Sequence, residues 1–172
     1  MNDPELQNER KRTCLEYLSL FIQNGDTSAH LFRTFVDDWF AYHAGGAFLN
    51  SRGKPRWFNN PDPEKCGAAL RRCHFISRHA MDALEGNGAV RLVKDHALPL
   101  RVLKKALIAS ESTEPVEIQN FLSSHYRLGL ISKQEDRCLN ALGLRQELPA
   151  DANGLDWMAR YQAAAIPMAR RS

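Results

Sequence analysis

The segment Val90-Arg91-Leu92-Val93-Lys94-Asp95-His96-Ala97-Leu98-Pro99-Leu100 carries the most pointed chemistry in the chain. Its apolar, partly β-branched run reads as a strand. The run ends in adjacent Asp95 and His96, and Pro99 follows closely. A carboxylate can hold a divalent metal, and an imidazole, which titrates near neutral pH, can take a proton from water. Neighbouring side chains on a strand point to opposite faces. Asp95 and His96 therefore converge on one site only if the strand ends or bulges there, and Pro99 makes such a break reasonable.

The rest of the chain must position this segment. Its 172 residues, 44% hydrophobic and 25% charged, suffice for a sizeable core and have the composition of a globular protein. No run of about 18 apolar residues offers a transmembrane helix. The polar Met1-Asn2-Asp3-Pro4-Glu5 lacks the form of a signal peptide, so a cytoplasmic protein without membrane attachment is expected. A net charge of +3 argues against an acidic nucleic-acid mimic. The bunched Arg10-Lys11-Arg12, Arg71-Arg72, Lys104-Lys105 and Arg170-Arg171 are either solvated faces or pieces of a phosphate-binding surface. Cys14, Cys66, Cys73 and Cys138 form no CxxC pair and read as reduced core cysteines rather than zinc ligands.

Periodicity predicts a mainly α (α+β) protein. A first helix spans about 4–23, capped by Asp3 with Pro4 in its first turn. A second spans about 27–43 and carries Leu31, Phe32, Phe35, Val36, Trp39 and Phe40. Residues 47–60 are a loop or a hairpin turning near Arg52-Gly53. There Arg52, Lys54 and Arg56 are candidate nucleic-acid contacts, and Trp57 and Phe58 read as core anchors. Pro61-Asp62-Pro63 opens a helix over 63–85, ended by Gly86-Asn87-Gly88. A strand over 89–96 precedes helices from Leu100 and from Pro115. A second strand spans 126–132, and Ser132 with Glu135 predicts a capping box on a helix from Lys133 to Leu142. A last helix runs from Leu155 to about Ala165, and the basic end Arg170-Arg171-Ser172 is expected to fray.

A strand closing in Asp95-His96-Ala97-Leu98-Pro99-Leu100, then a second strand, then a helix starting Lys133-Gln134-Glu135-Asp136, resembles the ββα-metal finger of HNH-type endonucleases. In that family the first strand ends in Asp-His-x-x-Pro with an apolar residue next. The second strand leads into a helix whose first turn supplies an Asn, His or Asp. The resemblance covers about residues 88–143. The chain length predicts one helical domain over 1–172. Within it, residues 1–87 are a helical stretch, residues 88–143 a small two-stranded ββα-metal-like element with a helical insertion, and residues 144–172 a closing loop and helix. The resemblance also implies an endonuclease that hydrolyses phosphodiester bonds, with DNA ahead of RNA as partner. Mg²⁺ or Mn²⁺ would be held by Asp95 and Asp136, an oxygen-rich site suited to such ions. His96 would be the general base, and Arg137 and Asn140 would contact phosphate or support the metal shell. Two features depart from the family. About two helices lie between the strands, and bracing cysteine pairs are absent.

The same residues also admit a reading without chemistry. Asp95 and His96 can be a salt-bridged strand end, Pro99 a helix start, and Asp136 an acid that complements the helix dipole. The protein is then a non-catalytic α-helical inhibitor, adaptor or regulatory module with a protein partner. The placement of the Asp95, His96 and Asp136 side chains discriminates between the two.

Overall fold

The structure is a computed structural model that describes residues 3–56, 63–86 and 90–169, over 63–66 as backbone alone. Trp57, Phe58, Pro61-Asp62, Asn87-Gly88, Arg170-Arg171-Ser172 and the Cys66 thiol lie outside the described residues. The fold is mainly α with one small sheet. In chain order its elements are α1 (Pro4–Gln23), α2 (Ala29–Ala44), α3 (Pro63–Leu70), β1 (Phe75–Ile76), α4 (Arg78–Leu84), β2 (Leu92–His96), α5 (Leu100–Ala109), α6 (Pro115–His125), β3 (Leu128–Ser132), α7 (Lys133–Ala141) and α8 (Ala159–Ala163). Among the described residues no helix is long and apolar enough to cross a membrane. The backbone divides into two compact units, Met1–Trp57 with Leu103–Ser124, and Phe58–Val102 with His125–Ser172.

In the first unit local signals set the helices. Asp3 accepts from the Glu5 and Leu6 amides and starts α1. Gly25, at a φ of 62°, turns the chain toward Ser28, which caps α2. Phe21 and Phe32 (ring centroids 5.9 Å apart) and Tyr17 and Phe35 (5.3 Å apart) pack the two helices together. Burial, then the charge of Asp38, pushes the Cys14 thiol up to about 12, so this cysteine is an unreactive member of the core. The turn expected near Arg52-Gly53 forms. Leu49 and Pro55 make a single antiparallel bridge, and the Asn50 side chain accepts from the Arg52 and Lys54 amides. Arg52, Lys54 and Arg56 are all at the surface there.

The second unit holds the sheet, in the order β1-β3-β2. β3 is the central strand, parallel to β1 and antiparallel to β2, and all of its residues are buried. The helix expected over 63–85 is instead α3 and α4 with β1 between them. Phe75 and Ile76 are both buried, although adjacent residues cannot share one helix face. As a strand they reach opposite faces of the sheet. Phe75 joins Ile131, Leu139 and Tyr161 on one face, and Ile76 joins Leu92, Leu130 and Leu70 on the other. The expected two-stranded element is therefore three-stranded. The last helix is shorter than its sequence suggests, Ala159–Ala163.

Glu135 ties two of these helices to the sheet. It forms the expected capping box with Ser132, accepting from the Ser132 amide at 2.7 Å. The same carboxylate accepts from the Ser77 hydroxyl at 2.6 Å, and Ser77 itself caps α4. His79 Nδ1 lies 3.1 Å from its other oxygen. Glu135 is only 5% exposed, so removing it strands the Ser77 hydroxyl and the Ser132 amide in the core. We expect Glu135→Ala to cost about 1–3 kcal/mol in urea denaturation. Glu135→Gln, which keeps an acceptor, should cost less; equal losses would show that the network is not what holds the helix starts.

Candidate functional site

The β2–β3 register runs from Leu92 opposite Ser132 to His96 opposite Leu128. Asp95 and His96 thus lie at one end of the strand pair, and α7 begins at the other. Strand alternation places Lys94 and His96 on the face of Leu128 and Leu130. Val93 and Asp95 share the opposite face with Gly129 and Ile131. Gly129 pairs with Asp95 and also with Phe75 on its other side. A Cβ on Gly129 would overlap the Phe75 ring.

The missing side chain lets a brace form over the strand end. The Tyr161 hydroxyl donates to Asp95 Oδ2 at 2.5 Å, and Arg160 Nη2 donates to the same oxygen at 3.3 Å. Arg160 Nη1 donates to the carbonyl oxygens of His96 at 2.7 Å and Ala97 at 3.3 Å. The Arg160 side chain is 1% exposed and that of Asp95 18%, so the charge pair is largely screened from water. Burial, then Asp95, raises the Tyr161 phenol well above its usual range, so it stays a protonated donor at neutral pH. The Ala97 amide bonds to the Arg127 carbonyl at 2.9 Å, which carries the chain out of the strand. Asp95 thus fixes Arg160, and Arg160 fixes the backbone that carries His96.

The His96 ring projects to the other face and meets the buried Tyr126 edge-on, with centroids 5.6 Å apart at 70°. Asp136 lies in the first turn of α7 and pairs with Lys133 three residues back. Arg137 and Asn140 are exposed on the same helix. The structure therefore gathers Asp95 with Arg160 and Tyr161, and does not gather Asp95, His96 and Asp136. Among the described residues no three His, Cys, Asp or Glu side chains come together to hold a metal. With Asp95 turned into the brace and Asp136 paired to Lys133, the donor set expected for Mg²⁺ or Mn²⁺ does not fit this arrangement.

Arg160 and Tyr161 are the site residues that sequence reasoning does not find. They lie 65 and 66 positions beyond Asp95, in a short helix that ordinary amphipathic spacing already explains. Arg52, Lys54 and Arg56 belong to the first unit. Comparison with protein-family models, curated proteins and solved structures finds no match to the chain.

Proposed function

We propose that the second unit hydrolyses phosphodiester bonds in nucleic acid, with His96 as its general base. The observation that carries this reading is the braced strand end: β2 closes in Asp95-His96, lies antiparallel to β3, and β3 passes directly into α7. A base is effective when its position is fixed before substrate arrives. Here Arg160 holds the His96 backbone and Tyr126 borders its ring. In the reaction, His96 takes a proton from water as the water oxygen bonds to phosphorus. The bridging P–O bond then breaks, and the leaving oxygen takes a proton from solvent. Lys94, on the same face two residues away, supplies positive charge for the phosphate. Asp95 serves as a positioning residue.

The test is incubation of the purified protein with plasmid DNA and with structured RNA, in Mg²⁺, in Mn²⁺ and in chelator. The wild-type protein should cut. His96→Ala should lower the rate at least about a hundredfold, the scale of one general base, with its circular dichroism unchanged. Absence of cleavage under every condition overturns the proposal. A second reading, a non-catalytic protein acting through a protein partner, is favoured by the internal pairing of Asp95 and Asp136. On that reading His96→Ala leaves function in cells intact.

A further inference from the structure

We propose that His79 is a phosphoryl acceptor, a nucleophile whose Nε2 lone pair is fixed by the buried carboxylate of Glu135. The inference goes beyond the phosphodiester reading and does not depend on His96. The two oxygens of Glu135 have separate tasks. Oε2 accepts from the Ser77 hydroxyl at 2.6 Å and from the Ser132 amide at 2.7 Å. The Ser77 oxygen itself accepts from the Ala80 amide, which leaves its proton for Glu135. Oε1 faces His79 Nδ1 at 3.1 Å. An imidazole is a stronger base than a carboxylate, so the proton between these two atoms belongs to the ring. A neutral His79 then carries its lone pair on Nε2. The His79 side chain is 61% exposed while that of Glu135 is 6% exposed, so the ring turns its Nδ1 edge inward and its Nε2 edge to solvent.

A surface ion pair ordinarily fixes neither of its members. This one differs because two buried donors hold the carboxylate from behind, so it cannot turn away from the ring. The cations at the two helix starts do not compete for it. Arg78 pairs with Asp82 and Lys133 with Asp136, each within its own helix. The matching substrates are phosphoryl groups on a good leaving group, as in phosphoramidates and acyl phosphates. The Nε2 lone pair attacks phosphorus, and an N–P bond forms as the donor's P–N or P–O bond breaks. The bonding pair departs on ammonia or on the carboxylate, and nothing is oxidised or reduced. The Nδ1 proton stays on the ring, which becomes a cation. Glu135 Oε1 already faces that charge as it develops, so Glu135 is the positioning residue of the pair.

The experiment incubates the full chain with potassium phosphoramidate, quenches it in alkali, where phosphohistidine survives, and locates the phosphoryl group by peptide mass spectrometry. Nitrogen-15 resonances of the histidines report the tautomers in parallel. Neutral His79 should be the Nδ1–H form. His74, whose Nδ1 accepts from the Leu128 amide, should be the Nε2–H form and serves as the reference. His79 should be labelled at least about tenfold faster than the exposed His30, for which the described residues show no carboxylate partner. In Glu135→Gln the amide oxygen can keep Ser77 and Ser132 while its NH₂ faces Nδ1. That variant should turn the ring to the Nε2–H form and slow labelling about ten- to a hundredfold, the scale of losing a carboxylate behind a histidine, with its circular dichroism unchanged. Equal rates at His79 and His30, or an Nε2–H tautomer of His79 in the wild type, overturn the inference whether or not the variant folds. An undiminished rate in folded Glu135→Gln overturns it as well.

Discussion

Asp95→Ala is expected to lower the unfolding free energy by about 3–5 kcal/mol, the cost of leaving one member of a buried charge pair alone. Arg160 has nowhere else to put its charge, because its side chain is 1% exposed and its Nη1 bonds go to neutral carbonyls. The Tyr161 hydroxyl loses its acceptor in the same change. Asp95→Asn keeps an acceptor for Tyr161 while removing the charge, so its loss should fall between wild type and alanine. Urea denaturation in the presence of a chelator measures both. The outcome separates the two roles of Asp95. A residue whose task is to hold a metal ion contributes little to stability when no metal is bound, whereas a brace contributes fully. Wild-type stability of Asp95→Ala in chelator would return Asp95 to the role of a ligand.

Gly129→Ala should also destabilise the fold, by about 1–3 kcal/mol, although it adds only one methyl group. The new Cβ would collide with the Cζ, Cε1 and Cε2 atoms of Phe75. The ring has little room to retreat, with Tyr161 at 5.1 Å and Trp157 at 5.4 Å between centroids. Any shift of Phe75 therefore presses on Tyr161, whose hydroxyl holds Asp95. One methyl group at Gly129 reaches the His96 backbone through Phe75, Tyr161, Asp95 and Arg160. Phe75→Ala alone should cost about 3–5 kcal/mol, the range for a deleted core aromatic. The double variant should resemble Phe75→Ala, because the methyl group then has space. Additive losses in this cycle would show that the clash is relieved in some other way.

Much of the fold was legible in the chain because its signals are local. Asp3 before Pro4, and Ser132 three residues before Glu135, state where helices begin, and the structure places α1 and α7 there. The strand ending at His96 was legible from its β-branched run. β1 was hidden for a physical reason. A strand of Phe75 and Ile76 is too short to show alternation, and Cys73, Ile76 and Ala80 happen to keep helical spacing. Only pairing with β3, more than fifty positions away, makes it a strand. Asp95 and His96 were visible as reactive groups, but their partners were not. Adjacency in sequence suggested one shared site, while strand alternation sends Asp95 to Tyr161 and His96 to Tyr126. No spacing rule links Asp95 to Arg160, because that bond is set by the packing of α8 over the sheet.

The central place of β3 also sets an order in time. Synthesis releases Phe75-Ile76 and Leu92–His96 before the strand to which both bind. Until residues 128–132 emerge, these two segments are unpaired edges with apolar side chains and no template. Arg160 and Tyr161 arrive later still, so the nascent chain carries His96 without its brace until Arg160, 64 positions on, has been made. Long-range closures of this kind are slow steps in folding. The backbone that carries His96 would gain its final position only at the last of them.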